Sequence, residues 1–378
     1  MPRTGPTDDP ARDPARRSAR VDCLVVGGGP AGLAAAVQLG RLRRSCVVVD
    51  DDAGRSLWSQ VTRNHLGFPD GVTAADLRLL GQRQAVGYGA DLRHGEVTGL
   101  RRARGRTGGF VATVVAAEEG EPDDATPGMG ANRARERRHG ARLGERETRR
   151  RTRIRARTVV LATGVIDAFP SFAGRDECVG ISLFWCIVCD GFESIGRHVA
   201  VVGDDEEAIG TAFGLRHFTD RVTLATGRRR TRASTERLRS LEARGVTVLR
   251  GPVETYHHEA GRIRSIVVGP SGSRSEATPV DCEMVFVSTP KRPRTELARR
   301  LGARADGAGY LVTDDAGRTT VTGLYAAGDA TSGHSHQVTT AAHLGATAAT
   351  AVNFDLYDPA EQGVGTDPRK QTTRRSAR

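Results

Sequence analysis

The sequence predicts an α/β protein built around two strand–turn–helix units. In the first unit, the apolar stretch 21–26 leads into a glycine-rich turn and an Ala-rich helix at 33–42. In the second unit, the apolar stretch 199–203 leads into a helix at 205–216. Strands that alternate with helices are typical of parallel sheets covered by helices. A chain of 378 residues is long enough for two such domains, each with its own core.

The turn of the first unit has the pattern G-x-G-x-x-G. Its first glycine makes the tight turn, its second lets the backbone approach a pyrophosphate, and its third lets the helix pack closely on the strand. The helix start offers unsatisfied N–H groups to phosphates, and an Asp at the end of the next strand can accept hydrogen bonds from a ribose. The pattern predicts a dinucleotide site formed by Gly27, Gly29, Pro30, Ala31, Gly32 and Asp50.

The rest of the first half alternates predicted elements with one long interruption. The polar candidates to lie along a cofactor are Arg55, Arg63, Asn64 and His65. The predicted elements are a helix at 73–87 and strands at 91–97, 110–117 and 155–161, the last followed by Ala162, Thr163 and Gly164. Residues from about 118 to 150 interrupt them with acidic and then Arg-rich sequence. A loop of this length is either functional or disordered, and we predict disorder.

The net charge of +11 is concentrated in a few segments. Residues 132–157 contain twelve Arg and three Glu, and the polar tails 1–20 and 358–378 are also basic, so the remaining body is mildly acidic. We predict that the tails and the insert are disordered, because they have little apolar area to bury. Weak, salt-sensitive binding of nucleic acid by these segments is the alternative.

The sequence also indicates in which cellular compartment the protein is found. No apolar run approaches the roughly 20 residues of a membrane span, and residues 1–20 lack the apolar segment of a secretory signal. Six Cys in such a chain fit a reducing cytoplasm better than a disulfide scaffold.

The stretch 184–191 reads Phe-Trp-Cys-Ile-Val-Cys-Asp-Gly, with Asp190 directly after the second cysteine. A C-x-x-C near β-α-β patterning favours a redox-active pair, Cys186 and Cys189. A structural disulfide and half of a metal site are the alternatives, although no second C-x-x-C or His pair lies nearby to complete a zinc site. The cysteines predicted as packed thiols in apolar strands are Cys23, Cys46 and Cys282.

Three motifs, in this order, resemble the low-molecular-weight thioredoxin reductase family of flavoproteins over most of 21–357. They are the G-x-G-x-x-G turn, the stretch Cys186-x-x-Cys189-Asp190-Gly191, and Thr319-x-x-x-Gly323-x-x-Ala326-Ala327-Gly328-Asp329. The segment 162–164 fits the family's Ala-Thr-Gly turn, and Gln337 lies where the family has a Gln at the start of its last helix. Each motif alone is common, but the ordered set is specific.

The resemblance implies two Rossmann-like, three-layer ββα domains. The FAD domain comprises 21–167 and 291–357, and it is interrupted at 168–290 by an NAD(P)-binding-like domain that carries the C-x-x-C. The resemblance also implies a homodimer, with a thioredoxin-like protein or a small disulfide or dithiol as substrate.

The resemblance implies an enzyme that moves two electrons between FAD and a disulfide. Cys189 would face the flavin, Cys186 would exchange with the substrate, and Asp190 would shuttle the proton that the exchange requires. The FAD-binding residues implied beyond the first turn are Ala162, Thr163, Gly164, Gly328, Asp329 and Gln337. No metal is implied.

The second strand–turn–helix unit departs from the family. The family's G-x-G-x-x-A reads Gly203-Asp204-Asp205-Glu206-Glu207-Ala208, so an Asp replaces the glycine that lets a pyrophosphate approach. Four acids at one helix start should repel a phosphate. The family's His-Arg-Arg for the 2′-phosphate becomes Thr226-Gly227-Arg228. NADPH stays a possible cofactor, because three arginines remain as phosphate partners: Arg228, Arg229 and Arg232.

The region 50–71 resembles the divergent branch that includes the gliotoxin-type dithiol oxidases, which close small dithiols and pass electrons from FAD to oxygen. Three functions therefore stay open: a thioredoxin reductase-like oxidoreductase, a dithiol oxidase, and a non-catalytic flavin redox sensor. The acid beside the second sulfur favours an enzyme, because a scaffold has no need of it. Membranes and nucleic acid are not predicted as partners.

Overall fold

The computed structural model describes residues 20–105, 108–116, 150–228, 231–270, 276–288 and 290–357. Apart from Arg20 and Arg150, the predicted tails 1–20 and 358–378 and the predicted insert at about 118–150 lie outside these ranges. Their disorder therefore stays a prediction.

The strands of the described chain are β1 (Val21–Val26), β2 (Cys46–Asp50), β3 (Val61–Thr62), β4 (Val72–Thr73), β5 (Asp91–Arg102), β6 (Phe110–Ala116), β7 (Arg151–Leu161), β8 (Val165–Asp167), β9 (Leu183–Phe184), β10 (Val199–Val202), β11 (Val222–Ala225), β12 (Thr247–Leu249), β13 (Val253–Glu259), β14 (Arg262–Val268), β15 (Thr278–Asp281), β16 (Met284–Val287), β17 (Lys291–Pro293) and β18 (Leu324–Ala326). The α-helices are α1 (Pro30–Arg41), α2 (Ala74–Gly87), α3 (Arg175–Cys178), α4 (Ile187–Asp190), α5 (Glu206–Leu215), α6 (Thr235–Glu242), α7 (Glu296–Arg299) and α8 (Val338–Asp355). Short 3₁₀ helices lie at Arg55–Trp58, Phe192–Ser194 and Gly328–Ala330.

The first body is centred on a parallel sheet in the order β5–β2–β1–β7–β18. Side chains alternate across β1, so that Cys23 and Val25 share a core with α1 and α8. Leu24 and Val26 share the opposite core with an antiparallel sheet, which β6 forms with the far ends of β5 and β7. Helices, parallel sheet and antiparallel sheet thus form three layers.

The second body repeats this arrangement around the parallel sheet β12–β11–β10–β16–β9. One face packs on α5 and α6 through Ile209 and Leu238, and the other packs on the antiparallel sheet β13–β14–β15 through Tyr256 and Ile266. The predicted fold class, two Rossmann-like three-layer domains, is confirmed. The antiparallel pair β8–β17 lies between the two bodies in the chain. Among the described residues, every helix is too short or too polar to cross a bilayer.

Some predicted bounds are wrong. Strand β7 begins at Arg151 rather than Arg155, and its arginines alternate with the buried Ile154 and Ala156. This period-two pattern is that of a strand with one exposed face, but the Arg-rich composition made it look like part of the insert. Strand β18 ends at Ala326, because the chain then turns through Gly328 with φ of +71°.

Helices α1 and α8 approach each other most closely at Gly345. A Cβ on this glycine would lie 2.0 Å from the carbonyl oxygen of Ala31, in the first turn of α1. Backbone cannot yield as a flexible side chain does, so only glycine permits this contact. The contact ties α8 to the glycine-rich turn before α1.

We predict that Gly345→Ala destabilises the protein by about 1–3 kcal/mol, because an added methyl group would push the two helices apart. The matched control is Gly210→Ala in α5, where a Cβ would meet nothing within 4 Å. This control should be neutral or stabilising by up to about 1 kcal/mol, since alanine favours helix. Urea unfolding midpoints measure both effects. Equal stabilisation by the two substitutions would contradict the packing described.

Candidate active site

A cavity of about 580 Å³ opens at the carboxyl ends of β1, β2, β7 and β18. Ligand sites commonly measure about 300–1,000 Å³, and in open α/β sheets they lie at this edge. The predicted site residues that line it are Gly27, Gly29, Pro30, Ala31, Asp50, Ala162, Thr163, Gly164, Cys189, Asp190, Gly328, Asp329 and Gln337. Gly32 and Cys186 are not among the residues that line it.

The glycine-rich turn leaves the start of α1 open to the cavity. Gly27 has φ of +104°, and a Cβ there would lie 2.3 Å from the carbonyl oxygen of Ala162. A Cβ on Gly32 would lie 1.8 Å from the carbonyl oxygen of Gly27. By contrast, a Cβ on Gly29 would meet no described atom within 4 Å. Gly27 and Gly32 therefore allow close packing, whereas Gly29 borders free space.

This helix start can bind an anion. No side chain of the described residues caps α1, and its first turn contains no acidic residue. The first N–H groups of a helix have no partner within it, and the helix dipole makes this end positive. The open space at Gly29 and these donors fit the pyrophosphate of a dinucleotide such as the FAD that the resemblance implies.

Two aspartates of the cavity are held by arginines. Asp50 forms an ion pair with Arg78 of α2. Asp329 accepts a hydrogen bond from Arg55 Nη1 at 3.0 Å, and Arg55 Nε donates to Asp167 at 2.6 Å. Arg55 therefore links the turn after β18 to the end of β8, beside the cavity.

The two cysteines of the motif form a disulfide at the start of α4. Cys186 precedes the helix, and its Sγ accepts a hydrogen bond from the backbone N–H of Cys189 at 3.2 Å. Gln337 donates from Nε2 to Cys186 Sγ at 3.5 Å and to Cys189 Sγ at 3.4 Å. Its Oε1 accepts from Asn64 Nδ2 at 2.9 Å. The disulfide is thus seated against the cavity, with Cys189 on the cavity side.

Asp190, the last residue of α4, lines the cavity beside Cys189. Burial and, after it, the nearby carboxylate of Glu193 together raise the pKa of Asp190 from 3.8 to about 7, while Arg63 acts to lower it. A group with a pKa near neutrality can both take up and release a proton at physiological pH.

The corresponding helix start of the second body is filled by the chain's own carboxylates. Asp205 caps α5, since its Oδ1 accepts the backbone N–H of Ala208 at 3.0 Å. Asp204 accepts from Arg232 at 3.1 and 2.8 Å, and this guanidinium lowers the pKa of Asp204. Arg228 Nε lies 3.4 Å from the same carboxylate.

The two glutamates in the first turn of α5 also have basic partners. Glu206 pairs with Arg237 at 3.0 Å, and Glu207 pairs with Lys291 at 2.6 Å. A cleft of about 310 Å³ borders Asp204, Arg228 and Arg232. The third predicted phosphate partner, Arg229, lies outside the described residues. The two expected phosphate partners that the structure describes, Arg228 and Arg232, are therefore engaged by the protein's own acids.

Two neighbours of the site, Glu193 and Asp167, were not identified from the sequence. Glu193 stands three residues after Asp190, a helical spacing that could have signalled it. Asp167 shares Arg55 with Asp329, and only the fold brings them together. His336 lines the cavity, and burial lowers the pKa of its imidazole.

The remaining cysteines are buried free thiols: Cys23, Cys46, Cys178 and Cys282. Burial raises the pKa of Cys23 and of Cys282 to about 12, so both stay protonated and unreactive at neutral pH. The prediction of packed thiols is confirmed for Cys23, Cys46 and Cys282. Among the described residues, no group of His, Cys, Asp and Glu is arranged to hold a metal ion.

We predict that Asp190→Asn makes stability less dependent on pH. The pKa of Asp190 is about 7 in the folded protein and near 4 in the unfolded chain, so the folded state holds the proton more tightly. The contribution of Asp190 to stability is therefore fully present below about pH 4 and is lost as pH rises through the folded-state pKa of about 7. The Asn variant should exceed wild type at pH 8 by on the order of a few kcal/mol.

Urea midpoints between pH 4 and pH 8 measure this difference. Asp220→Asn is the control, because the Asp220 side chain is 91% exposed, and it should follow the wild-type pH dependence. An identical pH dependence for Asp190→Asn and wild type would contradict the raised pKa.

Comparisons with known proteins agree with this architecture. The family described as pyridine nucleotide-disulphide oxidoreductase matches residues 21–345. The thioredoxin reductase of Treponema pallidum (strain Nichols) is 28% identical over 344 residues, which cover 87% of this chain and 95% of that protein. The thioredoxin reductase of Mycolicibacterium smegmatis is 28% identical over 341 residues, which cover 86% of this chain and 94% of that protein.

Comparison with solved structures also agrees with this architecture. The crystal structure of HlmI superposes with a TM-score of 0.73 at 28% identity and covers 95% of this chain and 98% of HlmI. The chain therefore belongs to the pyridine nucleotide-disulphide oxidoreductase family and is a thioredoxin reductase-like oxidoreductase acting on sulfur groups.

Proposed function

We propose that the protein is an FAD-dependent dithiol oxidase, which closes a dithiol to a disulfide through Cys186 and Cys189 and passes the two electrons to dioxygen. The contrast between the two helix starts carries this proposal. The start of α1 is open to a cavity, whereas the start of α5 is capped by Asp205 and surrounded by acids. The first suits the phosphates of FAD, and the second opposes those of NADPH.

FAD would lie in the domain that we assign to residues 21–167 and 291–357. Residues 168–290 would form the NAD(P)-binding-like domain that presents the disulfide. The start of α1 would hold the pyrophosphate, Asp50 would accept hydrogen bonds from the adenosine ribose, and Asp329 would contact the ribityl or phosphate region. When bound, FAD supplies the ability to accept two electrons from a dithiol and to return them to dioxygen, which leaves as hydrogen peroxide.

The chemistry of the chain's own residues is thiol–disulfide exchange. A substrate thiolate attacks Cys186 Sγ, so that the Cys186–Cys189 bond breaks, a mixed disulfide forms, and the electron pair goes to Cys189 Sγ. The second substrate thiolate attacks the substrate sulfur of this mixed disulfide. The substrate disulfide closes, and Cys186 leaves as a thiolate.

Neighbouring groups can stabilise the thiolate charges that form on Cys186 and Cys189. The backbone N–H of Cys189 donates to Cys186 Sγ, and the amide of Gln337 donates to both sulfurs. Hydrogen bonds of this kind strengthen when the acceptor becomes anionic. Asp190, with its pKa of about 7, is suited to take the proton of the incoming thiol.

An NADPH-driven reductase of a thioredoxin-like protein is the second candidate. The names of the two curated relatives, both thioredoxin reductases, favour it. The cleft at Asp204 would have to admit the nucleotide, which requires Arg232 to exchange Asp204 for a phosphate.

We also propose a homodimer in the cytoplasm. On and after α2, four apolar or aromatic side chains are 42–54% exposed: Leu79, Leu80, Val86 and Tyr88. An exposed apolar face of this kind suits an interface with a second copy. The four buried free thiols suit a reducing compartment.

We predict that a small dithiol causes oxygen uptake by the purified FAD-loaded protein, with one hydrogen peroxide formed per disulfide. Cys189→Ser and Cys186→Ser should each reduce this rate by at least about 1,000-fold, since each removes a reacting sulfur. Both variants should still bind FAD. Cys178→Ala is the control, because its thiol is buried and unpaired with the motif, and it should retain the rate.

An oxygen electrode and a peroxide assay make these measurements. Oxygen uptake unchanged in Cys189→Ser would refute the assigned sulfur path. Disulfide reduction with NADPH, without oxygen uptake from dithiols, would support the reductase instead. If neither the dithiol nor NADPH supported turnover, the result would favour a non-catalytic redox sensor.

A further inference from the structure

We propose that Glu193 is a positioning residue for the disulfide reaction, and that its carboxylate, anchored by Arg63, acts through the neighbouring carboxyl of Asp190. The inference rests on the proposed function, because it concerns the proton shuttled at Cys186 and Cys189. It adds a second carboxylate and an arginine to the sulfur motif.

The backbone fixes Glu193 beside Asp190. Asp190 ends α4, and Glu193 lies in the 3₁₀ turn that follows after one residue, Gly191. Gly191 has φ of −66° and ψ of −33°, so the chain stays helical between the two turns. Residues three apart on helical backbone have Cβ atoms about 5–6 Å apart.

The turn is closely packed at Gly191. A Cβ on it would lie 2.5 Å from the carbonyl oxygen of Ile187 and 3.0 Å from the ring of Phe218. Ser194 Oγ donates to the carbonyl oxygen of Gly191 at 2.6 Å, which closes the turn. The backbone that carries both Asp190 and Glu193 is therefore tightly packed.

Glu193 is ion-paired on one side and unsatisfied on the other. Its Oε1 lies 3.5 Å from Arg63 Nε, on the segment after β3 that also lines the cavity. Its Oε2 is buried and has no hydrogen-bond partner among the described residues. A buried carboxylate oxygen without a donor is costly. This cost is reduced whenever a proton is shared with the neighbouring acid.

The two amides at the disulfide are uncharged. Asn64 and Gln337 approach the disulfide with uncharged amides. His336 lines the same cavity, and burial lowers the pKa of its imidazole, so it is neutral at pH 7. Glu193 and Arg63 are thus the charges that act on Asp190, in opposite directions.

The consequence is a proton carrier tuned by two charges of opposite sign. Burial alone favours the protonated form of Asp190, and the charge of Glu193 favours it further. Arg63 limits this effect, so that Asp190 can still release its proton near neutrality. With Asp190 as the base for an incoming thiol, the rate of dithiol oxidation should rise with pH through this range.

The test measures the protonation of Asp190 directly. Infrared spectra of the full-length FAD-loaded protein, recorded between pH 5 and pH 9, show the C=O band of a protonated carboxyl, and its loss in Asp190→Asn assigns it. Glu193→Gln keeps the shape but removes the charge, and it should lower the midpoint by about one pH unit. Arg63→Gln should raise the midpoint. Glu242→Gln, in an exposed pair on α6, is the control and should leave it unchanged.

The rate of anaerobic reduction by a dithiol gives a second readout. Its pH midpoint should move down in Glu193→Gln and up in Arg63→Gln, a pair of opposite shifts that loss of packing does not produce. Infrared midpoints equal to wild type in both variants would overturn the inference. The infrared measurement needs no substrate, so its outcome is independent of whether the protein oxidises dithiols.

Discussion

Both bodies depend on how the unpaired N–H groups are satisfied at the start of the helix that follows a parallel strand. Its first N–H groups have no partner within the helix, so they need acceptors from elsewhere, and the helix dipole favours anionic ones. At α1 the glycine-rich turn leaves them open to a cavity. At α5 the chain supplies its own anions, Asp205 as the cap and three further acids with basic partners. The same strand–turn–helix unit therefore occurs twice with different results. The start of α1 is open to an external phosphate, whereas the N–H groups at the start of α5 are compensated by the chain's own acids.

This asymmetry has a consequence for electron flow. The disulfide lies against the cavity of the first body, where Gln337 contacts both sulfurs and Cys189 lines the wall. In the chain it belongs to the second body, whose own cleft at Asp204 is bordered by ion pairs. A dithiol that reaches Cys186 can deliver electrons without that cleft, and this is why we favour oxidation of a dithiol as the proposed function.

Contacts between the bodies hold the disulfide in this place. Phe169 lies between Trp58 and Trp185, with ring centroids 5.5 and 5.2 Å apart. A Cβ on Gly180 would lie 2.4 Å from the carbonyl oxygen of Trp58, so the backbones touch. The pair of Lys291 with Glu207 adds a contact between β17 and α5. The site thus depends on packing between segments that are far apart in the chain.

The fold class was predicted from the sequence, and most of the predicted site residues line one cavity, because the motifs that carry them are local. The G-x-G-x-x-G turn and the C-x-x-C depend on spacing over a few residues, and apolar runs mark the buried parallel strands. The first part of β7 was missed because its exposed face carries arginines. The contacts of Arg55 with Asp167 and Asp329, and of Gln337 with the sulfurs, join positions more than 100 residues apart. No local pattern encodes them.

The most direct test of the central claim is anaerobic rapid mixing of the FAD-loaded protein with a small dithiol and, separately, with NADPH, followed by flavin absorbance. The account predicts that the dithiol bleaches the flavin rapidly and that NADPH does not. Rapid bleaching by NADPH, at a rate equal to or above that with the dithiol, would contradict it.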